Sequence, residues 1–308
     1  MTGRGGAAEP SSTEAIDPRY ADLDILGTGA LLAELIGANQ RAVEAVRRAL
    51  PELERAAGAM RERLSAGGRL AYLGAGTSGR LAAQDAAELE PTFGFGRIVI
   101  LLAGGELAGT HAREGAEDDE EAGGDAVERA ALGGDDVLVG VAASGRTPFT
   151  VAGVRRARER GALTVGIANN PGTPLLAVAE HAIFLDSGPE VLAGSTRLVA
   201  GTAQKIALNA LSTAVMIRLG GAYRNLMVGM EPTNSKLRKR AIGMVAIATG
   251  ASEVAASQAL ERSHWRIREA IVCLLTGLDP SAAQEALRRH GNQVRAAITG
   301  AQGERGPE

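Results

Sequence analysis

Cysteine is almost missing from this 308-residue chain. A single thiol, Cys273, excludes an intramolecular disulfide and fits a reducing compartment. It sits in the apolar run Ala270–Leu275, where a buried, inert thiol is expected. Aromatic residues are also scarce, at 3%, so the core must be built from small aliphatic side chains. The four histidines, His111, His181, His264 and His290, fall at no metal-ligand spacing. Each reads by default as a core or surface histidine, with His111 and His181 kept as weak functional candidates. A surplus of one charge is lacking as well: the net charge of −3 disfavours a dedicated nucleic-acid binder. No stretch approaches the roughly 18 uninterrupted apolar residues of a membrane span. No charged-then-apolar leader opens the chain. A soluble, cytoplasmic protein with no membrane or nucleic-acid partner is the expectation. Also absent are a CxxC pair, a Walker loop, a Ser-His-Asp elbow and any long repeat.

What is present is an alternation of strand and helix signals. Five short apolar runs, Leu70–Leu73, Ile98–Leu102, Val137–Val141, Leu163–Ile167 and Ala182–Leu185, are bounded by Gly, Asp or Asn. Helical stretches separate them. This pattern predicts an α/β fold with a doubly wound, five-stranded parallel sheet and right-handed crossovers. Before the first strand, Leu32, Leu35, Ile36, Val43, Val46 and Leu50 recur at helical steps, and Pro51 suits the first turn of a further helix. These helices are expected to pack on the sheet or on a partner subunit. After the fifth strand, a long apolar helix is predicted from about Gly201 to Leu219, with Ser195 and Thr196 as candidate N-caps. Pro232 to Ile298 reads as all helical. The expected divisions are a disordered tail over 1–12, an N-terminal helical segment over 13–59 and the doubly wound domain over 60–225. A helical subdomain over 226–300 and a frayed tail over 301–308 follow.

Two loops carry the chemistry. Gly74-Ala75-Gly76-Thr77-Ser78-Gly79-Arg80 follows the first strand, and Ala143-Ser144-Gly145-Arg146-Thr147 follows the third. Each is a small, hydroxyl-rich turn feeding a helix, where backbone N–H groups and the helix dipole favour an anion. In parallel sheets ligands bind at the carboxyl ends of the strands, so the two loops can converge. Helix capping is the bland reading of Ser78 or Ser144 taken singly. Two loops plus Gly194-Ser195-Thr196-Arg197 favour phosphate binding. The first loop also fits the G-x-G-x-x-G dinucleotide pattern. Against a dinucleotide stand the helical segment preceding it, the missing acid after the second strand (Leu101–Gly105) and the second hydroxyl loop. Two carboxylates lie near these loops: Glu88, in Asp85-Ala86-Ala87-Glu88, and Glu117, in the acidic stretch Glu114–Glu121. Most of that stretch reads as a solvated helix start. A phosphate anchor with two proton-transfer groups is the minimum kit for acid–base chemistry on a phosphorylated sugar. The basic run Lys236–Arg240 reads as a solvated helical face or an intersubunit contact, with a role near an anionic substrate left open.

The motifs, taken in order, closely resemble a known family. They are Leu73–Arg80, Pro91–Gly94, Glu114–Asp118, Ala142–Pro148, Gly194–Arg197, Ala200–Lys205 and Asn225–Val228. The chain is similar along nearly its whole length, from about Ser12 to Ile298, to the N-acetylmuramic acid 6-phosphate etherases of the sugar isomerase (SIS) superfamily. The resemblance implies cleavage of a lactyl ether, giving N-acetylglucosamine 6-phosphate and D-lactate in cell-wall recycling. It implies a homodimer with no metal and no redox cofactor. The family's general acid matches Glu88 and its second catalytic glutamate matches Glu117. The implied substrate contacts are Gly76, Thr77, Ser78, Gly79, Arg80, Ser144, Gly145, Arg146, Thr147, Ser195 and Thr196. Three positions depart from the family pattern: Val199 stands where lysine is frequent, Leu89-Glu90 where Cys-Pro or similar is usual, and Gly229 where aspartate is usual. A related aldose–ketose isomerase and a non-catalytic sugar-phosphate sensor are the alternatives. Lactate release separates the first. The second is disfavoured because one SIS domain fits this length and both glutamates are kept.

Overall fold

The computed structural model describes residues 12–105 and 115–303. His111 and Glu114, singled out by sequence, lie outside the described residues. The chain divides into two compact units: residues 1–86 with 98–211, and residues 87–97 with 212–308.

The first unit is built on a five-stranded parallel sheet. Its strands are β1 (Leu70–Gly74), β2 (Ile98–Leu102), β3 (Val137–Val141), β4 (Leu163–Ala168) and β5 (His181–Phe184), in spatial order β2-β1-β3-β4-β5. All four pairings are parallel, with Gly74 level with Val141 at the ends of β1 and β3. Strand order reverses between β1 and β3, the crevice where doubly wound sheets hold ligands. β1, β3 and β4 are buried at every residue, which is why they read as continuous apolar runs rather than alternating ones. β2 is an edge strand, and its Ile100 is exposed. At the opposite ends of β1 and β3, Asp136 bonds the Arg69 guanidinium at 2.7 Å and the Arg69 N–H at 2.9 Å. Burial pushes the Asp136 carboxyl up, but the Arg69 guanidinium and the N–H groups of Arg69 and Gly133 outweigh it and hold it below the usual range.

Helices α4 (Gly76–Phe93), α5 (Glu120–Arg129), α6 (Pro148–Glu159), α7 (Pro174–Val178) and α8 (Val199–Met216) follow the strands in turn. Small residues let them approach closely. A Cβ on Gly153 of α6 would meet Leu73 of β1 and, at 3.1 Å, the carbonyl of Gly123 in α5. Preceding the sheet are α1 (Thr28–Ala38), α2 (Gln40–Arg48) and α3 (Leu50–Ser65). Along α3, Leu53, Ala56, Met60 and Leu64 recur at helical spacing and are buried. The stripe expected to pack on the sheet or on a partner subunit divides: Val46 is buried and Leu35 half-buried, but Leu32, Ile36, Val43 and Leu50 are exposed. The periodicity makes these residues helical, and among the described residues those four stay exposed.

In the second unit, α9 (Ser235–Thr249), α10 (Glu253–Arg262), α11 (Ile267–Thr276), α12 (Pro280–Arg289) and α13 (Val294–Gly303) enclose a core that includes Val245, Leu260, Ile271 and Leu287. A two-residue hairpin, β6 (Ala222–Tyr223) with β7 (Leu226–Met227), precedes them. Asn234, Ser252 and Asp279 cap α9, α10 and α12 with side-chain oxygens. Ala301–Gly303 are helical, so the tail expected to fray from residue 301 is ordered that far. Cys273 is half-buried in this unit, and burial pushes its thiol up, which suits an inert residue. Among the described residues, no helix is long and apolar enough to cross a membrane.

Candidate functional site

The first loop is short because strand and helix touch backbone to backbone. A Cβ on Gly74 would come within 2.9 Å of the Gly79 Cα, and one on Gly79 within 2.7 Å of the Gly74 carbonyl carbon. No larger residue fits at either place. The helix therefore starts almost directly off the strand, aiming its first N–H groups across the carboxyl edge of the sheet. On this turn Ser78 is buried, Thr77 and Arg80 are half-buried, and Gly76 is exposed. The Arg80 guanidinium reaches the Thr77 hydroxyl at 3.4 Å.

The second loop joins β3 to α6. Gly145 holds φ +65° with no room for a side chain, since a Cβ would run into Thr173. Ser144 accepts the Arg146 N–H at 3.1 Å and lies 3.4 Å from the Thr147 hydroxyl. Thr147 occupies the N-cap position of α6 but makes no capping bond with its side chain, so capping alone does not account for this hydroxyl. A buried polar shelf supports the loop from below. Asn170 donates to the Ala143 carbonyl at 3.0 Å and to the Thr13 hydroxyl at 2.8 Å. Asn169 bonds Leu185 and Ser187 and accepts from Gln204 at 2.9 Å. Ser12 and Thr13 close the shelf by donating to the Asn170 side-chain oxygen at 3.0 and 3.2 Å.

The third loop, Gly194–Arg197, precedes α8. Here the capping expectation is corrected. α8 begins at Val199, and neither Ser195 nor Thr196 occupies its N-cap position. Glu190 does the work instead. Its carboxylate, 1% exposed, accepts the N–H groups of Val199 and Ala200, each at 2.8 Å. Burial pushes this carboxyl above the ordinary range, against the opposing pull of the Ala200 and Val199 N–H groups and of Arg41. Ser195 and Thr196 are half-buried and Arg197 is exposed. A Cβ on Gly201 would lie 3.6 Å from the Thr77 methyl, which brings the start of α8 against the first loop. The register of β1 with β3 sets the second loop beside the first. The first two loops thus lie side by side where strand order reverses, and the start of α8, just past the third loop, packs on the first.

Glu88 is exposed on α4, one turn past the buried Asp85, and falls within the second compact unit. Glu117 is exposed in a single 3₁₀ turn, Ala116–Asp118, entered through Gly115, and belongs to the first. Sequence reasoning passed over Asp85, Tyr72, Asn209, Glu190 and the Asn169–Asn170 shelf. For Asp85 and Asn209 the one signal was a polar residue on a helix face otherwise apolar; Glu190, Asn169 and Asn170 lie in loops, where no periodicity marks them.

Residues 52–157 match the glucokinase regulatory protein N-terminal SIS domain, and residues 120–214 match the SIS domain. Fold and loops together define an SIS-domain protein. An N-acetylmuramic acid 6-phosphate etherase of Deinococcus radiodurans is 53% identical over 268 residues, covering 86% of this chain and 88% of the relative. The corresponding protein of Rubrobacter xylanophilus is 51% identical over 265 residues, covering 85% and 88%. That of Streptomyces coelicolor is 46% identical over 297 residues, covering 96% of each. The chain belongs to the N-acetylmuramic acid 6-phosphate etherase family.

Proposed function

We propose that this protein cleaves the D-lactyl ether of N-acetylmuramic acid 6-phosphate with one water, yielding N-acetylglucosamine 6-phosphate and D-lactate. The observation that carries the reading is close relationship to etherases along almost the full chain, at 53% identity to one of them. The two hydroxyl-bearing loops at the strand-order reversal, with the third just ahead of the helix that packs on the first, suit a phosphate and support it.

An unactivated ether resists cleavage because an alkoxide leaves poorly. Opening the sugar ring frees C1 as an aldehyde and makes the C2 proton acidic. Glu117 removes that proton. Glu88, protonated, donates to the lactate oxygen as it leaves C3, so a C2–C3 double bond forms while the C3–O bond breaks. Water then adds at C3, with Glu88 as base, and C2 is reprotonated. Residues Gly76–Arg80, Ser144–Thr147 and Ser195–Thr196 hold the 6-phosphate and keep C2 and C3 in register with the two carboxyls. The chemistry calls for no metal or redox cofactor. We assign sugar-phosphate binding to residues 60–225 and treat 226–300 as a separate helical subdomain. Function as a cytoplasmic homodimer completes the reading, and the uncovered apolar stripe of Leu32, Ile36, Val43 and Leu50 is the surface that favours a second copy.

The test is direct. Incubation with N-acetylmuramic acid 6-phosphate should release D-lactate and N-acetylglucosamine 6-phosphate in equal amounts. A ketose product without lactate would establish an isomerase instead.

A further inference from the structure

The central turns of α4 are tied to the rest of the first unit by a chain of polar side chains that the proposed reaction does not use directly. Asp85 on α4 is 4% exposed. The hydroxyl of Tyr72, from the middle of β1 and itself 2% exposed, donates to one Asp85 oxygen at 2.7 Å. The Asn209 amide, from α8, donates to the other at 2.5 Å. The Lys205 ammonium, one turn earlier on α8, donates to the Asn209 side-chain oxygen at 2.6 Å. The result is a relay from a surface cation to a buried phenol, passing through Asp85.

Stability alone is a poor reason for this arrangement. Burying a carboxylate costs several kcal/mol, and a well-packed apolar residue of similar volume is often as stable or more so. An apolar residue cannot do one thing that Asp85 does: accept directional bonds from two separate elements at once. β1 and α8 together fix the rotation of α4 about its own axis. The packing agrees, because a Cβ on Gly201 of α8 would meet both Thr77 and Leu81. Thr77, Leu81 and Asp85 follow one another at steps of four along a single stripe of α4, so α8 lies along that stripe. Burial, and then the Asp85 charge, push the Tyr72 hydroxyl well above its ordinary range, which keeps it a donor at working pH.

α4 continues as one helix to Phe93. Residues three apart on a helix share a face, so the rotation fixed at Asp85 is passed to Glu88 in the next turn. We infer that Asp85, held by Tyr72 and Asn209, is a positioning residue for Glu88, and that its effect falls on departure of the leaving group rather than on C2 deprotonation. The inference rests on the reading of Glu88 as proton donor. It is specific to one step because the base, Glu117, sits on a 3₁₀ turn that the relay does not touch.

Two readouts on Tyr72→Phe and Asn209→Ala test it: D-lactate release, and exchange of the substrate C2 hydrogen in deuterated buffer followed by proton NMR. A misplacement near 1 Å can cost up to about 100-fold, so lactate release should fall about ten- to 100-fold in each variant. At saturating substrate the exchange rate should stay within about twofold of wild type, while KM is free to rise because the phosphate loop Gly76–Arg80 begins the same helix. Parallel loss of both activities, or no loss of either, would overturn the inference. Melting curves and circular dichroism establish that each variant folds. Should Tyr72→Phe fail to fold, Asn209→Ala, at a half-buried position, decides the matter alone. Failure of the underlying reading looks different: wild type would release no lactate, or Glu88→Gln would release it normally.

Discussion

Removing the carboxylate of Glu190 should unfasten the start of α8 and loosen the Gly194–Arg197 loop it encloses. In the folded protein this side chain takes the N–H groups of Val199 and Ala200, each at 2.8 Å. Both residues are buried, so no water replaces the lost acceptor at no cost. A buried donor stranded in this way costs about 1–3 kcal/mol, so Glu190→Ala should lose about 2–6 kcal/mol of unfolding free energy. Glu190→Gln keeps the shape and offers one oxygen, so about half that loss is expected. Urea denaturation followed by circular dichroism measures both. The pH dependence adds a signed test. Burial raises the Glu190 carboxyl in the folded state, so the fold binds this proton more tightly than the unfolded chain does. The stabilisation linked to that proton is fully present below the unfolded carboxylate value of about 4.3 and is lost as pH rises through the higher folded value. Glutamine has no such titration. The stability margin of wild type over Glu190→Gln should therefore widen as pH falls from neutral towards 5. Glu190→Ala within about 0.5 kcal/mol of wild type, or a margin that shrinks on acidification, would refute the reasoning.

Further outcomes follow from the proposed chemistry. Glu88→Gln should bind substrate but release no lactate, since glutamine keeps the shape without an acidic proton; near-normal turnover would sink the assignment. Ser144→Ala and Thr147→Ala should each weaken binding of the 6-phosphate by about 1–3 kcal/mol by calorimetry. Equal affinity of the wild type for phosphorylated and free sugar would reduce those loops to caps. Glu88→Ala should still exchange the C2 hydrogen with deuterated water while releasing no lactate, whereas Glu117→Ala should lose both activities. The opposite pattern would reverse the two roles.

The sheet was legible because local pattern determines it. β1, β3 and β4 are buried on both faces, so Leu70–Leu73, Val137–Val141 and Leu163–Ile167 could be read as strands from apolar content and their Gly, Asp and Asn borders. The loops after β1 and β3 were legible for a related reason: only glycine fits where Gly74 meets Gly79 and where Gly145 meets Thr173, and those glycines mark the turns. Long-range pairing was not legible. Nothing near Ser195 or Thr196 announces that a glutamate before the loop caps α8 in their place. Nothing near Asp85 announces Asn209, 124 residues later. The helical stripe from Leu32 to Leu50 was legible as helix, but which of the two expected covers it meets, sheet or partner subunit, was not, since periodicity reports that a face is apolar and not what covers it.

The shelf beneath the second loop gives the molecule a timetable. Ser12 and Thr13 bond to Asn170 across a separation of 157 to 158 residues. On the ribosome, at about 5–20 residues per second, the N-terminal segment waits roughly 8–30 s for this partner to emerge. Gln204, which bonds Asn169, emerges later still. β1 and its loop exist long before the floor that steadies the neighbouring loop can close. A nascent chain stalled between α4 and β4 would thus carry the first phosphate loop while lacking the shelf, and the earliest residues made are among the last to find their place.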